Sequence, residues 1–148
     1  MDIDKTKRDH QFQDFYMTVA YEAAKLSRAT KRHVGAIVVR DGNILAYGYN
    51  GTPHGIRNDC EKSGANGSLI TRDEVVHGEM NAILKAGDCR GADMYTTYSP
   101  CIHCAKHIIQ AGIRTVYYHE IQKKYQEDAL ALLSEAGVTA YHMDDYND

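Results

Sequence analysis

The sequence lacks an excess of basic residues, a long apolar run and an apolar segment at its start. Its 17 Lys and Arg against 20 Asp and Glu give a formal net charge of -3, so the broad basic surface of a duplex-binding protein is missing. No apolar run approaches the ~18 residues that cross a bilayer, and the first residues carry no signal core. We therefore expect a cytoplasmic protein with neither a membrane nor a polynucleotide as its partner.

Cysteine is scarce, because only four of the 148 residues are Cys. Four cysteines would suffice for two disulfides in a secreted protein. In a reducing compartment, however, a close pair such as Cys101-x-x-Cys104 indicates metal binding or redox activity. The length predicts one domain over residues 1–148, since domains hold ~100–200 residues. We expect residues 1–8 and the acidic residues 144–148 to be frayed.

The first half of the chain predicts a helix, a hairpin and a long loop. Apolar residues recur every three or four positions from Gln11 to Arg28, which is typical of a helix buried on one side, with Asp9 as its cap; they are Phe12, Phe15, Tyr16, Val19, Ala23 and Leu26. Two apolar runs flank Asp41-Gly42, the strongest short signal for an antiparallel hairpin. Residues 50–71 are rich in Gly, Asn and Ser and predict a loop.

The second half alternates between helix and strand patterns. Helices are predicted over 78–86, 102–111 and 125–136, and strands over 93–98, 114–119 and 138–142. Strands that alternate with helices after an opening hairpin predict an α/β protein. We expect a three-layer α/β/α architecture with a mixed sheet of about five strands.

Two short segments carry the residue types of a metal site. Cys101 and Cys104 lie three positions apart, so both sulfurs face one side of a first helical turn. His77 opens the preceding helix and completes three zinc ligands, which leave a fourth position open for water, as in catalytic zinc sites. Glu79 lies two residues after His77, within reach of that water, which suits a general base.

Two other interpretations of the cysteine pair stay open at this point. Cys101-x-x-Cys104 is also the spacing of a thioredoxin-like redox pair. Alternatively, the zinc site is purely structural, with Cys60, Cys89 or His103 as its fourth ligand.

His-x-Glu followed by Pro-Cys-x-x-Cys is the signature of the zinc-dependent nucleobase deaminases. The chain resembles the cytidine and deoxycytidylate deaminase superfamily, and more specifically the deoxycytidylate (dCMP) deaminases, over roughly residues 12–142. The tRNA adenosine deaminases share the zinc segments but not the run from Gly48 to Pro53. The segments that carry the resemblance are 34–36, 48–53, 77–83, 98–106, 110–113 and 136–138.

The resemblance implies a cytidine-deaminase-like fold and hydrolytic deamination of dCMP to dUMP, which would supply thymidylate synthesis. It assigns the zinc ligands to His77, Cys101 and Cys104 and the proton transfers to Glu79. The chain departs from the usual pattern of the family at two places. Gly78 stands where the family usually has Ala, and Ile102-His103 stands where Pro-Asp is common. Neither departure removes a ligand.

The resemblance also implies a set of substrate contacts. Asn50 would bind the sugar, and the backbone near Ala36 and Ser99-Pro100 would line the base pocket. We hypothesise that Arg28, which belongs to a cluster of basic residues, binds the phosphate. Tyr125 resembles a tyrosine that contacts the substrate in the family.

Family members are typically hexamers, activated by dCTP with Mg²⁺ and inhibited by dTTP. The resemblance places the effector site near Gly48, Tyr49 and Gly51. Two alternatives of function remain, namely a deaminase of another cytosine or adenine substrate, such as a nucleoside or tRNA, and a non-catalytic binding module stabilised by zinc.

Overall fold

The computed structural model describes residues 3–122 and 126–147. Within these ranges the chain forms four α-helices and seven strands. The helices are α1 (Ile3–Ala24), α2 (Gly78–Ala86), α3 (Ile102–Gln110) and α4 (Gln126–Glu135). The strands are β1 (Gly35–Arg40), β2 (Asn43–Tyr49), β3 (Glu61–Ser63), β4 (Leu69–Thr71), β5 (Asp93–Tyr98), β6 (Thr115–Glu120) and β7 (Thr139–His142).

Five strands form one mixed sheet in the order β2-β1-β5-β6-β7. β1 runs antiparallel to both β2 and β5, whereas β5, β6 and β7 are parallel. Helices α3 and α4 are the crossovers between the parallel strands, and right-handed crossovers place both on the same face. The predicted mixed sheet of about five strands is confirmed.

The opening hairpin turns at Asp41 and Gly42, whose φ angles are 53° and 77°. Two successive positive φ values match the twist of the flanking strands, which explains the Asp-Gly pair. The register shifts between Val38 and Val39, so Leu45 has no partner residue opposite it. This irregularity lies in the strand pair that leads to the candidate site.

Two cores cover opposite faces of the sheet. Alternate residues of a strand point to opposite faces, and Val38 and Val39 of β1 accordingly belong to different cores. Helix α1 covers one face with Tyr16, Met17 and Ala20. Helices α2, α3 and α4 cover the other, with these fully buried side chains among others: Ala82, Ala105, Ile108, Ala129 and Leu133. The three-layer α/β/α prediction is confirmed.

Three details of the first half differ from expectation. Helix α1 begins at Ile3 and ends at Ala24, so the expected start near Gln11 and the cap at Asp9 are wrong. Phe12 and Phe15 are 44% and 52% exposed, so both lie off the buried face of α1, and Leu26, which is 54% exposed, lies beyond the end of the helix. Part of the predicted loop pairs as the hairpin β3–β4, whose three-residue strands are too short for a pattern to reveal.

Both ends of the described chain are regular. Helix α1 takes in most of the segment that we expected to be frayed, and Met143–Asn147 forms a 3-10 turn after β7. No helix among the described residues has the length and apolarity that crossing a bilayer requires.

Candidate active site

The candidate site lies where α2 and α3 begin, beside the end of β5. Two glycines allow α2 to pack closely against the strands. A Cβ on Gly48 of β2 would lie 2.3 Å from the Ala82 nitrogen and 2.4 Å from the Gly78 oxygen. A Cβ on Gly78 would lie 2.9 Å from the Val34 oxygen. The glycines therefore fix how deeply the first turn of α2 sits.

That first turn and the first turn of α3 bring three ligand atoms together. His77 and Cys101 are the residues just before α2 and α3, and Cys104 lies in the first turn of α3. The His77 Nδ1 atom is 3.2 Å from Cys104 Sγ and 3.5 Å from Cys101 Sγ. All three ligand atoms lie within 4.8 Å of one another, and both cysteines are buried.

The three ligand atoms lie close enough to one another to bind one zinc ion. Tetrahedral zinc with Zn–S bonds of about 2.3 Å and Zn–N bonds of about 2.1 Å spaces its ligand atoms about 3.5–3.8 Å apart. One imidazole and two thiolates are ligands that zinc takes in catalytic sites. Within the described ranges this is the sole group of three or more His, Cys, Asp or Glu side chains with such spacing. Cys60, Cys89 and His103 do not join it, which removes the fourth ligand of the structural-zinc alternative.

The electrostatics of the site favour a thiolate. A hydrogen bond from the Cys104 thiol and a further one from His77 lower the pKa of Cys101 to about 3. The same bond to Cys101, together with burial, raises the pKa of Cys104. The pKa of His77 is also raised, chiefly by its bond to Cys101. Two helix N-termini face the sulfurs, and their dipoles favour negative charge there.

Glu79 is buried beside the three ligands without belonging to their group. Only 3% of the residue is exposed, and burial raises the pKa of its carboxyl group, against the lowering effect of the nearby His77. A raised pKa suits a group that must both accept and return protons.

Asn50 holds together the segments beside the site. Its side-chain oxygen accepts a hydrogen bond from the Val34 N–H at 2.9 Å, and its Nδ2 donates to the Arg32 oxygen at 2.8 Å. The Ser27 hydroxyl donates to the Asn50 carbonyl at 2.8 Å. Among the residues that the structure describes, Asn50 Nδ2 donates one hydrogen bond, to Arg32. The role of Asn50 at the sugar stays a prediction. This bracing role could not be predicted from the residue types, because the partners of the Asn50 side chain are main-chain groups.

The residues predicted to line the base pocket are buried next to the cysteines. Ala36 belongs to the same apolar core as Cys101 and Cys104. Pro100 is fully buried, and the buried Ser99 accepts a hydrogen bond from the Gln122 N–H through its hydroxyl at 2.8 Å. This bond ties the chain after β6 to the segment that leads into α3. The substrate roles of Ala36, Ser99 and Pro100 stay predictions.

Arg28 faces a cleft of about 200 Å³ that Asn50 also lines. Tyr49 and Gly51 also line this cleft. The cleft thus brings the predicted phosphate and sugar contacts together. Tyr125 lies outside the described residues.

The three residues predicted near an effector site all have structural contacts. Gly48 packs against the backbone of α2. The Tyr49 carbonyl accepts a hydrogen bond from Asn81 Nδ2 at 2.8 Å, and Gly51 pairs through its backbone with Val76. Tyr49 and Gly51 line the cleft shared by Arg28 and Asn50. An effector role for them stays a prediction.

Comparisons with known proteins agree with this geometry. The family model described as the cytidine and deoxycytidylate deaminase zinc-binding region matches residues 10–120. ComE operon protein 2 of Bacillus subtilis is 38% identical over 135 residues, which cover 86% of this chain and 69% of that protein. Human deoxycytidylate deaminase is 37% identical over 144 residues, covering 90% and 81% of the two chains. The crystal structure of dCMP deaminase from the cyanophage S-TIM5 in complex with dCMP and dUMP superposes with a TM-score of 0.80 and 36% identity, covering 89% and 96%.

Proposed function

The chain belongs to the cytidine and deoxycytidylate deaminase family, and we propose that it deaminates dCMP hydrolytically to dUMP with release of ammonia. The convergence of His77, Cys101 and Cys104 next to the buried Glu79 carries this proposal. Relatives named for this activity, one of them solved with dCMP and dUMP, support the choice of substrate.

His77, Cys101 and Cys104 would hold Zn²⁺, which when bound supplies Lewis-acid activation of water. Glu79 accepts a proton from the attacking water and delivers it to N3 of the cytosine. It then carries the second proton to the amino nitrogen at C4, so that ammonia leaves and a carbonyl remains. Its burial keeps the carboxyl group away from bulk water between the two transfers.

The remaining substrate contacts come from the surrounding segments. The backbone near Ala36 and Ser99-Pro100 lines the base pocket, and Asn50 binds the sugar. Arg28 neutralises the phosphate from the shared cleft. A single domain over residues 1–148 would contain all of these groups.

We further propose that the protein is regulated and oligomeric. The expected assembly is a cytoplasmic homo-oligomer, a hexamer, that supplies dUMP for thymidylate synthesis. dCTP with Mg²⁺ would activate it and dTTP would inhibit it, with Gly48, Tyr49 and Gly51 near the effector.

The test is release of ammonia by the zinc-loaded protein from dCMP, deoxycytidine and CMP, with and without dCTP and Mg²⁺. We expect turnover of dCMP above that of the other two. Equal turnover of deoxycytidine would instead indicate nucleoside salvage. Absence of turnover of all three under both conditions would contradict the proposal and favour a polynucleotide substrate or a binding module.

A further inference from the structure

The segment between α1 and β1 carries four cations, Lys25, Arg28, Lys31 and Arg32, and these side chains line two clefts. Arg28 faces the cleft shared with Asn50. Lys31 and Arg32 line a separate cleft of about 450 Å³, where the Arg32 guanidinium lies 4.7 Å from the centre of the Tyr98 ring. The direction of each side chain therefore depends on how the backbone of this segment is fixed.

Glu61 fixes that backbone at the middle of the segment. The Thr30 N–H donates to both carboxylate oxygens of Glu61, at 2.7 and 2.9 Å. Only 8% of Glu61 is exposed. Among the residues that the structure describes, no lysine, arginine or histidine forms an ion pair with it. A buried carboxylate is costly without such a partner, so the bond to Thr30 is its principal compensation.

The short hairpin β3–β4 holds Glu61 in this place. Glu61 begins β3 and pairs with Thr71 of β4. The Arg72 N–H then donates to the Cys60 oxygen at 2.8 Å, which closes the base of the hairpin. The backbone hydrogen bonds of the hairpin therefore hold the Glu61 carboxylate in place beside Thr30.

We infer that Glu61 is a positioning residue for phosphate recognition: its buried carboxylate holds the segment at Thr30 so that Arg28 faces the cleft lined by Asn50. This inference rests on the proposed function, because it assigns Arg28 to the phosphate of dCMP. Glu61 itself does not touch the substrate.

Two substitutions separate the bond from the charge. Glu61→Gln keeps an oxygen that accepts the Thr30 N–H but removes the negative charge, whereas Glu61→Ala removes both. Ser63→Ala is the matched control, because Ser63 is an exposed residue of the same short strand. Deoxycytidine is the matched substrate, since it lacks only the phosphate. Thermal unfolding of each variant establishes that it is folded.

We expect Glu61→Ala to raise the KM for dCMP about tenfold while kcat changes by less than about twofold. The KM for deoxycytidine should stay constant, Glu61→Gln should restore most of the affinity for dCMP, and Ser63→Ala should have no effect. Equal losses on dCMP and deoxycytidine, or no rescue by Gln, would contradict the positioning role.

Amide hydrogen exchange tests the anchor without any turnover. Exchange of the Thr30 N–H should be faster in Glu61→Ala than in the wild type, and near the wild-type rate in Glu61→Gln. Unchanged exchange in Glu61→Ala would overturn the inference. A wild-type protein that turns over no dCMP would overturn the proposed function, whereas an unchanged KM for dCMP in Glu61→Ala would overturn only the role of Glu61.

Discussion

Gly48→Ala tests whether close packing of β2 on α2 sets the depth of the candidate site. The added Cβ would lie 2.3 Å from the Ala82 nitrogen and 2.4 Å from the Gly78 oxygen. Ordinary contact begins at 3.4 Å, so the two elements must separate by about 1 Å. Both obstructing atoms belong to the backbone, which leaves no flexible side chain to absorb the strain.

The magnitudes follow from that displacement. Overpacking of this kind costs about 1–3 kcal/mol of unfolding free energy. A shift of about 1 Å at a catalytic group costs about 100-fold in rate, and here the shift carries His77 and Glu79 with the start of α2. We expect both losses in Gly48→Ala, measured by urea unfolding and by kcat for dCMP.

Gly51→Ala is the matched control for stability. Gly51 lies three residues further along the same segment, and apart from Gly51 itself and its two chain neighbours no described residue has an atom within 4 Å of the added Cβ. Its unfolding free energy should stay within about 0.5 kcal/mol of the wild type. A Gly48→Ala protein as stable and as active as the wild type would refute the packing argument.

Four further changes have defined outcomes. Glu79→Gln should lower kcat about 100- to 10,000-fold with an unchanged zinc content by metal analysis, and loss of the metal as well would contradict its placement outside the ligand group. Cys104→Ser should lower the bound zinc below one ion per chain, and full occupancy would argue against the three-ligand site. Arg28→Ala should raise the KM for dCMP without affecting deoxycytidine, and equal effects would exclude a phosphate contact. Leu133→Ala removes a fully buried side chain and should cost about 2–5 kcal/mol in urea unfolding while kcat stays constant.

The elements that the sequence predicted well are those with dense local signals. Asp41-Gly42 marked the hairpin because two positive φ values are easiest for such a pair. Helix α2 begins at Gly78 and ends at Ala86 as predicted, and strand β5 has the predicted bounds. In both cases the apolar period and the flanking turn residues agree.

The features that could not be predicted from the sequence depend on contacts between residues that are distant along the chain. Strand β3 contains only charged and polar residues, and three residues in each strand are too few to show an apolar period. The buried face of α1 includes the predicted Tyr16 and Ala23, but also Ala20 and Ala24, which carry less apolar signal than the exposed Phe12 and Phe15. The bond between Glu61 and Thr30 joins a side chain to a main-chain N–H, so no residue type at position 30 could have indicated it.

The same distinction, between local signals and contacts of distant residues, applies to the candidate site. His77, Cys101 and Cys104 could be predicted because ligand chemistry restricts residue type and spacing, and the structure brings their ligand atoms within 4.8 Å. The bracing bonds of Asn50 and the packing of Gly48 could not be predicted, because both depend on where α2 and the turn before β1 lie in space.

Hydrolytic deamination with Glu79 as the proton carrier is tested most directly in water enriched in oxygen-18. Zinc-loaded wild-type protein and Glu79→Gln protein of equal zinc content are incubated with dCMP, and the product is analysed by mass spectrometry. The account predicts dUMP with one oxygen-18 atom from the wild type and almost none from the variant. Absence of dUMP from the wild type, dUMP without the label, or equal labelled product from both proteins would contradict it.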